Sequence, residues 1–398
     1  MKKNYLSLVL IFVFFLQASS QNTELPEIWS FQSNGPIFSI PSVSRESVFI
    51  GSLDSNVYCI NSETGKLRWK YKTMGAIRNS ILVTDRLIYG FSMDGMLYAL
   101  DPNNGNLIWK KWIATDKQYD YGDWKTSSPV TDGNLIIMGA ADSSVYALDM
   151  NTGTTIWKTK LRGIIHATPS LTNKEIMIGD FGGYMYCLEK ESGKIKWEFR
   201  SVGHRFFPIG EFQGDPVAGN SVVMAAGRDY NIYALNIQTG RSLWNHSFPL
   251  GWALGNTILR DSCLYVTTSD DKVLAAYSLS SGRELWRTNM DFNMFAPLFV
   301  HNNEGYLGTL LGKFYKVDLK SGSKELLFTT KGYQQFNQEY FSKEGVWSNK
   351  AVETFIKDIS NYVQALYKLG SFFSAPLITE NNIYITSLDG KLYCLKKK

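Results

Sequence analysis

Acid-base chemistry in this chain would have to come from very few side chains, since its 398 residues include only four histidines. His166 and His204 are the candidates for it on the face that carries the irregular segments. Imidazole is the side chain ordinarily suited to proton transfer near neutrality. Neither can be paired by spacing with a nucleophile and an orienting base. Each is therefore read as a hydrogen-bonding or packing residue, and no catalytic residue is assigned. Asp54, Asp94, Asp142, Asp229 and Asp389 recur four residues before a tyrosine. That regularity invites a metal reading, yet Asp-Gly and Asp-Ser pairs such as Asp94-Gly95 are ordinary hairpin-turn chemistry, so no metal ligand is assigned.

The cysteines offer no redox pair. Cys59, Cys187 and Cys394 occupy one position of a repeat where other copies have Ala99, Ala147 and Ala234, and Cys263 stands alone. Equivalent positions in different repeats lie too far apart for a disulfide, so four free thiols are expected.

The elements that position these groups come from that repeat. A tyrosine, a small residue, an aliphatic residue, an Asp or Asn, then Gly and four residues later Trp come back along the chain, as in Tyr98-Ala99-Leu100-Asp101 with Gly105 and Trp109. A period of about 40 to 48 residues with strand-turn-strand content predicts an all-β, eight-bladed β-propeller of four-stranded antiparallel blades. The last repeat, from Ala375 to Leu395, stops after its third strand. Its missing fourth strand is supplied by Glu27-Ile28-Trp29-Ser30-Phe31, which closes the ring and removes the exposed sheet edge. Trp29, Trp69, Trp109, Trp157, Trp197, Trp244 and Trp286 are read as structural residues that dock one blade on the next.

Outside the ring, residues 1–20 read as a secretory signal peptide: Lys2-Lys3, an apolar run from Leu6 to Leu16, then Ala18-Ser19-Ser20. The run is too short to span a bilayer comfortably, so no transmembrane segment is expected after cleavage. The domain expectation is a leader at 1–20 and one propeller at 21–398, interrupted by an insertion at 330–373 between blades 7 and 8. Export to the periplasm or beyond follows, and the protein is expected to be a monomer. The formal charge of +5 is scattered rather than gathered in a stripe, which argues against a nucleic-acid partner.

Tyr98-Ala99-Leu100-Asp101 and Tyr146-Ala147-Leu148-Asp149, each followed by Gly and Trp, resemble the pyrroloquinoline-quinone (PQQ) type propeller repeat. The resemblance covers nearly all of the mature chain and implies the fold. It implies two kinds of function: quinoprotein dehydrogenases that hold PQQ and Ca²⁺ in the funnel, and cofactor-free scaffolds similar to the B subunit of the outer-membrane β-barrel assembly machinery. The adjacent cysteines that some of those dehydrogenases place beside the quinone are absent here, and scaffold members are typically lipoproteins, for which this leader has no acceptor Cys. The expectation is a non-catalytic envelope scaffold without a cofactor. The alternatives are a PQQ- and Ca²⁺-dependent alcohol or sugar dehydrogenase, and a sugar-binding or ligand-sensing propeller.

Loop length then points to a binding face. The irregular segments join the fourth strand of one blade to the first of the next: Lys111 to Thr126, Ser201 to Gly214, Asn245 to Leu254, and the insertion. Loops of this kind are where a rigid scaffold carries function. Candidate partner or ligand contacts are Arg78, Asn79, Tyr121, Asp123, Trp124, His166, His204, Arg205, Phe207 and Trp252. The expected partner is an envelope protein, an outer-membrane assembly component among them, or a glycan. Within the insertion, Val352, Phe355, Ile356, Ile359, Val363, Leu366 and Leu369 predict one helix with Asn349 as N-cap and Gly370 as stop.

Overall fold

The structure, a computed structural model, describes residues 24–120, 122–253, 255–342 and 345–397. The expected leader and Tyr121 lie outside the described residues. Eight four-stranded antiparallel sheets form a ring. In the first blade the strands, A to D from the axis outward, are Ser42–Ser44, Ser47–Gly51, Asn56–Asn61 and Leu67–Lys72. The last blade takes Leu377–Ile378, Asn382–Thr386 and Lys391–Lys396 from the end of the sequence and its D strand, Glu27–Gln32, from the beginning. Trp29 pairs with Cys394 across that joint.

The B and C strands are buried along most of their length, whereas the D strands alternate between half-buried and exposed positions. Apolar packing is accordingly divided into wedges between adjacent blades. Phe49, Ile77, Tyr98 and Leu100 fill the wedge between blades 1 and 2, and Trp29, Ile50, Tyr384 and Cys394 fill the one at the closure. Each repeat tryptophan reaches into the following blade. Trp69 Nε1 donates to the Pro102 carbonyl at 3.1 Å, Trp157 to Lys190 at 3.0 Å and Trp197 to Ile237 at 2.8 Å. Gly240 shows why glycine faces the ring: its φ is +68°, and a Cβ there would lie 2.6 Å from Trp197. Blade 7 has no such tryptophan. There Leu25 N donates to the Leu327 carbonyl at 2.6 Å, so the chain start seals the joint to the closing blade.

The recurring aspartates stand in the B-to-C turns and do a second job. Asp54 accepts from the Tyr58 hydroxyl at 2.6 Å, and Asp94 does the same for Tyr98. Burial, then the carboxylate itself, raises both tyrosine pKa values well above the ordinary one, so each hydroxyl is the donor. All four cysteines are free, and three of them are buried.

The insertion corrects the single-helix expectation. It forms three helices, α1 (Lys331–Tyr340), α2 (Asn349–Lys357) and α3 (Ser360–Leu369). Ser348, not Asn349, caps α2, accepting from Ala351 N. Asp358 is extended and ends α2, and its carboxylate accepts from Ser360 N at 2.8 Å, turning the chain into α3. Gly370 stops α3 at φ +68°, as expected. The break takes the apolar series off one stripe, so Leu366 and Leu369 are buried while Ile356 is 81% exposed. No helix among the described residues is long and apolar enough to cross a membrane.

Candidate functional site

In this strand order the D-to-A and B-to-C connections share one face of the ring. Three irregular segments meet there, and they are built very differently.

Residues 113–126, from blade 2 to blade 3, form a strap across the axis. Its anchor is His166, which is fully buried. His166 Nδ1 lies 3.0 Å from Asp123 Oδ1 and Nε2 lies 3.0 Å from Asp116 Oδ1, both carboxylates being buried as well. Burial alone would push the imidazole pKa down, but the two carboxylate hydrogen bonds outweigh it and hold the value at about 9. The ring is therefore an imidazolium near neutral pH and donates to both carboxylates. Asp123 Oδ2 accepts from Tyr119 N at 2.7 Å, and Arg78 donates to the Asp123 carbonyl at 3.3 Å and to Gln118 at 3.1 Å. Farther along, a Cβ on Gly122 would lie 2.9 Å from Trp252 and 3.1 Å from Arg228, so the strap runs directly over blade 5. Gln213 secures that crossing by donating to the Gly122 carbonyl at 2.7 Å.

At the axis the strap presents Trp124 to an aromatic nest. Its ring lies 5.0 Å from Phe373, 6.3 Å from Phe38 and 6.3 Å from Phe295. Phe373 follows α3, and Leu366, Tyr362 and Trp347 of the insertion belong to the same apolar cluster. Below the nest is a funnel with a cavity of about 80 Å³ that opens to solvent. A belt of hydrogen bonds runs around part of its wall: Ile40 N to Ser80 Oγ, Ser80 N to Ser128 Oγ, Ser128 N to Thr168 Oγ1 and Thr168 N to Asp215. Asp215 is also ion-paired with Lys125.

The third segment, residues 201–210, is a hairpin that stands out from blade 4. Ser201 Oγ donates to the Ile209 carbonyl at 3.0 Å, and His204 and Phe207 exchange backbone hydrogen bonds at 3.0 and 2.9 Å, closing the loop. Its inner side packs on blade 5, with His204 4.5 Å from Tyr230 and Phe207 4.9 Å from Trp252. Arg228, almost fully buried, lies 4.5 Å over the Trp252 ring, and its Nη1 approaches Asp120 to 2.8 Å without hydrogen-bond alignment. The outer side carries exposed apolar groups: Val202 at 70%, Phe206 at 61% and, on the neighbouring loop, Leu250 at 65%. The Arg205 guanidinium covers the Phe206 ring at 4.4 Å.

The nine described candidate contacts therefore divide. Asp123 and His166 are buried against each other in the strap, which corrects the expectation that they face a partner. Arg78, Asn79 and Trp124 line the funnel, with Asn79 Nδ2 donating to the Phe91 carbonyl and to Thr126 Oγ1. His204, Arg205, Phe207 and Trp252 gather at the hairpin. Asp116, Arg228 and Leu250 escaped the sequence reading. Asp116 lies 50 residues from His166 and in no repeated position, so no spacing could pair them.

The cofactor of the quinoprotein branch fits poorly. Calcium takes six to eight oxygen ligands, and among the described residues no three His, Cys, Asp or Glu side chains gather to hold a metal ion.

Comparison with known proteins agrees with the ring and its closure. A family model described as "Outer membrane protein assembly factor BamB" matches residues 26–142 and 141–250. Proteins of that name from Taylorella asinigenitalis and Burkholderia pseudomallei are each 26% identical, over 162 and 169 residues, or 39% of this chain. The matched segment spans 41% and 43% of those relatives, less than half their length. Among solved structures, BamB from Moraxella catarrhalis aligns over 94% of this chain and all of its own, with a TM-score of 0.68 at 16% identity. The quinohemoprotein alcohol dehydrogenase of Comamonas testosteroni aligns over 94% of this chain and 76% of its own, with a TM-score of 0.67 at 12% identity, a likeness of fold alone. With more than half of its length matched by that model, the chain belongs to the PQQ-type propeller family of the outer membrane protein assembly factor BamB.

Proposed function

We propose that the protein is an exported, non-catalytic scaffold of the cell envelope that works in outer-membrane protein assembly by presenting the 201–210 hairpin and the neighbouring Leu250 loop to a partner protein. In this reading residues 1–20 are removed on export, the mature protein is a monomeric propeller, and it needs neither PQQ nor Ca²⁺. The single observation that carries the site is the grouping of Val202, Phe206 and Leu250 as exposed apolar side chains beside Arg205 on a rigid hairpin. Aromatic and arginine side chains of this kind are the usual anchors of protein interfaces. The family relation supports the class of partner, an outer-membrane assembly component. The test is a pull-down of that component with Arg205→Ala, Phe206→Ala and Leu250→Ala combined. Loss of capture with an unchanged melting temperature is expected, and undiminished capture would show that the hairpin is not the surface.

A further inference from the structure

Buried polar atoms without a partner are costly to leave so, and native proteins rarely leave several together. Among the described residues, four such atoms belong to side chains that line the axial funnel: Arg78 Nε, Asn79 Oδ1, Trp124 Nε1 and Gln213 Oε1. Each side chain is held from its other end. Arg78 is fixed through its Nη atoms, Asn79 and Gln213 through their amide nitrogens, and Trp124 by its aromatic neighbours. The orphan atoms are therefore built in place rather than dangling.

Their chemistry is selective. Two are donors and two are acceptors, so the group that would satisfy them must both donate and accept, as a hydroxyl does. An ammonium would leave the two donors unpaired, and an anion without a hydroxyl the two acceptors. Lys125 and Asp215 neutralise each other at the funnel wall, and the Arg78 guanidinium is held there by the neutral Asp123 carbonyl and Gln118. Beside these atoms stand the rings of Phe38, Trp124, Phe295 and Phe373, flat apolar surfaces for the C–H face of a ring. The cavity itself is small, about 80 Å³, and opens to solvent at its mouth.

We infer that the funnel binds a small polyhydroxylated ligand, about one saccharide unit in size, which stacks against the aromatic nest and hydrogen-bonds to Arg78, Asn79, Trp124 and Gln213. This is independent of the partner surface. The ligand sits at the axis beneath Trp124, whereas the partner meets the hairpin outside.

The experiment is calorimetric titration of the mature protein with glucose, N-acetylglucosamine and maltose, with sodium phosphate as the anionic comparator. At least one sugar should bind with a dissociation constant below about 1 mM. Trp124→Phe keeps the aromatic packing and removes one donor, and Arg78→Lys keeps the charge and removes another. Each should weaken binding about tenfold or more, while Phe206→Ala leaves it unchanged. If no sugar binds at about 10 mM, an affinity too weak for a built site, the funnel holds water only and the inference is wrong. Binding that is indifferent to both variants, or binding of phosphate alone, would also overturn it. Partner capture by the two funnel variants should remain intact, so a failure here leaves the scaffold reading standing.

Discussion

The strap at 113–126, together with the His166 it holds, and the hairpin at 201–210 both combine aromatic, basic and histidine side chains on the same face, yet they put them to different uses. The strap turns Asp116, Asp123 and Trp124 inward. His166 is locked between Asp116 and Asp123, and Trp124 is packed on three phenylalanines. The hairpin packs His204 and Phe207 on blade 5 but turns Val202 and Phe206 outward, with Phe206 under Arg205. Composition alone therefore does not distinguish a structural loop from a recognition loop. What distinguishes them is whether a second segment of the chain supplies the partners.

The largest effect that could break this comparison is His166→Ala. It would leave two buried carboxylates facing each other, and breaking a buried ionic group of this kind costs roughly 3–5 kcal/mol. Chemical denaturation should show that loss, and a loss below about 0.5 kcal/mol, the level of a surface change, would place the strap with the hairpin. Next is the pH dependence of the clamp. The imidazole is raised from an ordinary 6.5 to about 9, a shift worth roughly 3 kcal/mol. Because the folded-state value is the higher one, the stabilisation is fully present below pH 6.5 and is lost as the pH rises through about 9. Melting temperatures across that window should fall for the natural protein and stay flatter for His166→Gln.

Smaller again is a change in the ring itself. Gly240→Ala forces a Cβ into the Trp197 ring at a positive φ, which should cost about 1–3 kcal/mol. Urea unfolding would check this, and a neutral result would mean the blade joint can give way. Smallest for stability is Phe206→Ala, expected within about 0.5 kcal/mol of the natural protein. Its effect should appear in binding, as a loss of about tenfold or more in partner affinity.

The ring was legible because its signals are local and repeated. Gly105 and Trp109, or Gly193 and Trp197, stand at fixed spacing, and the split last blade announces its own closure. The hairpin was half legible: its loop and its aromatic and basic residues stand out, but which of the adjacent Phe206 and Phe207 is the exposed one has no signature in a single loop sequence. The strap was misread most, since its meaning depends on pairs far apart in the chain, Asp116 with His166 and Gly122 with Trp252. The insertion failed for a local reason. Its helical periodicity runs through Asp358, where a side-chain-to-backbone bond to Ser360 competes with the helix and breaks it.

The most direct test of the central claim is site-specific photo-crosslinking in the envelope, with the probe placed in turn at Phe206 on the hairpin and at Asn104 in a C-to-D turn on the opposite face. Crosslinks to an outer-membrane assembly component from position 206 and none from position 104 are the predicted result. Crosslinks to that component from position 104 alone would contradict the assignment of the partner surface to the hairpin.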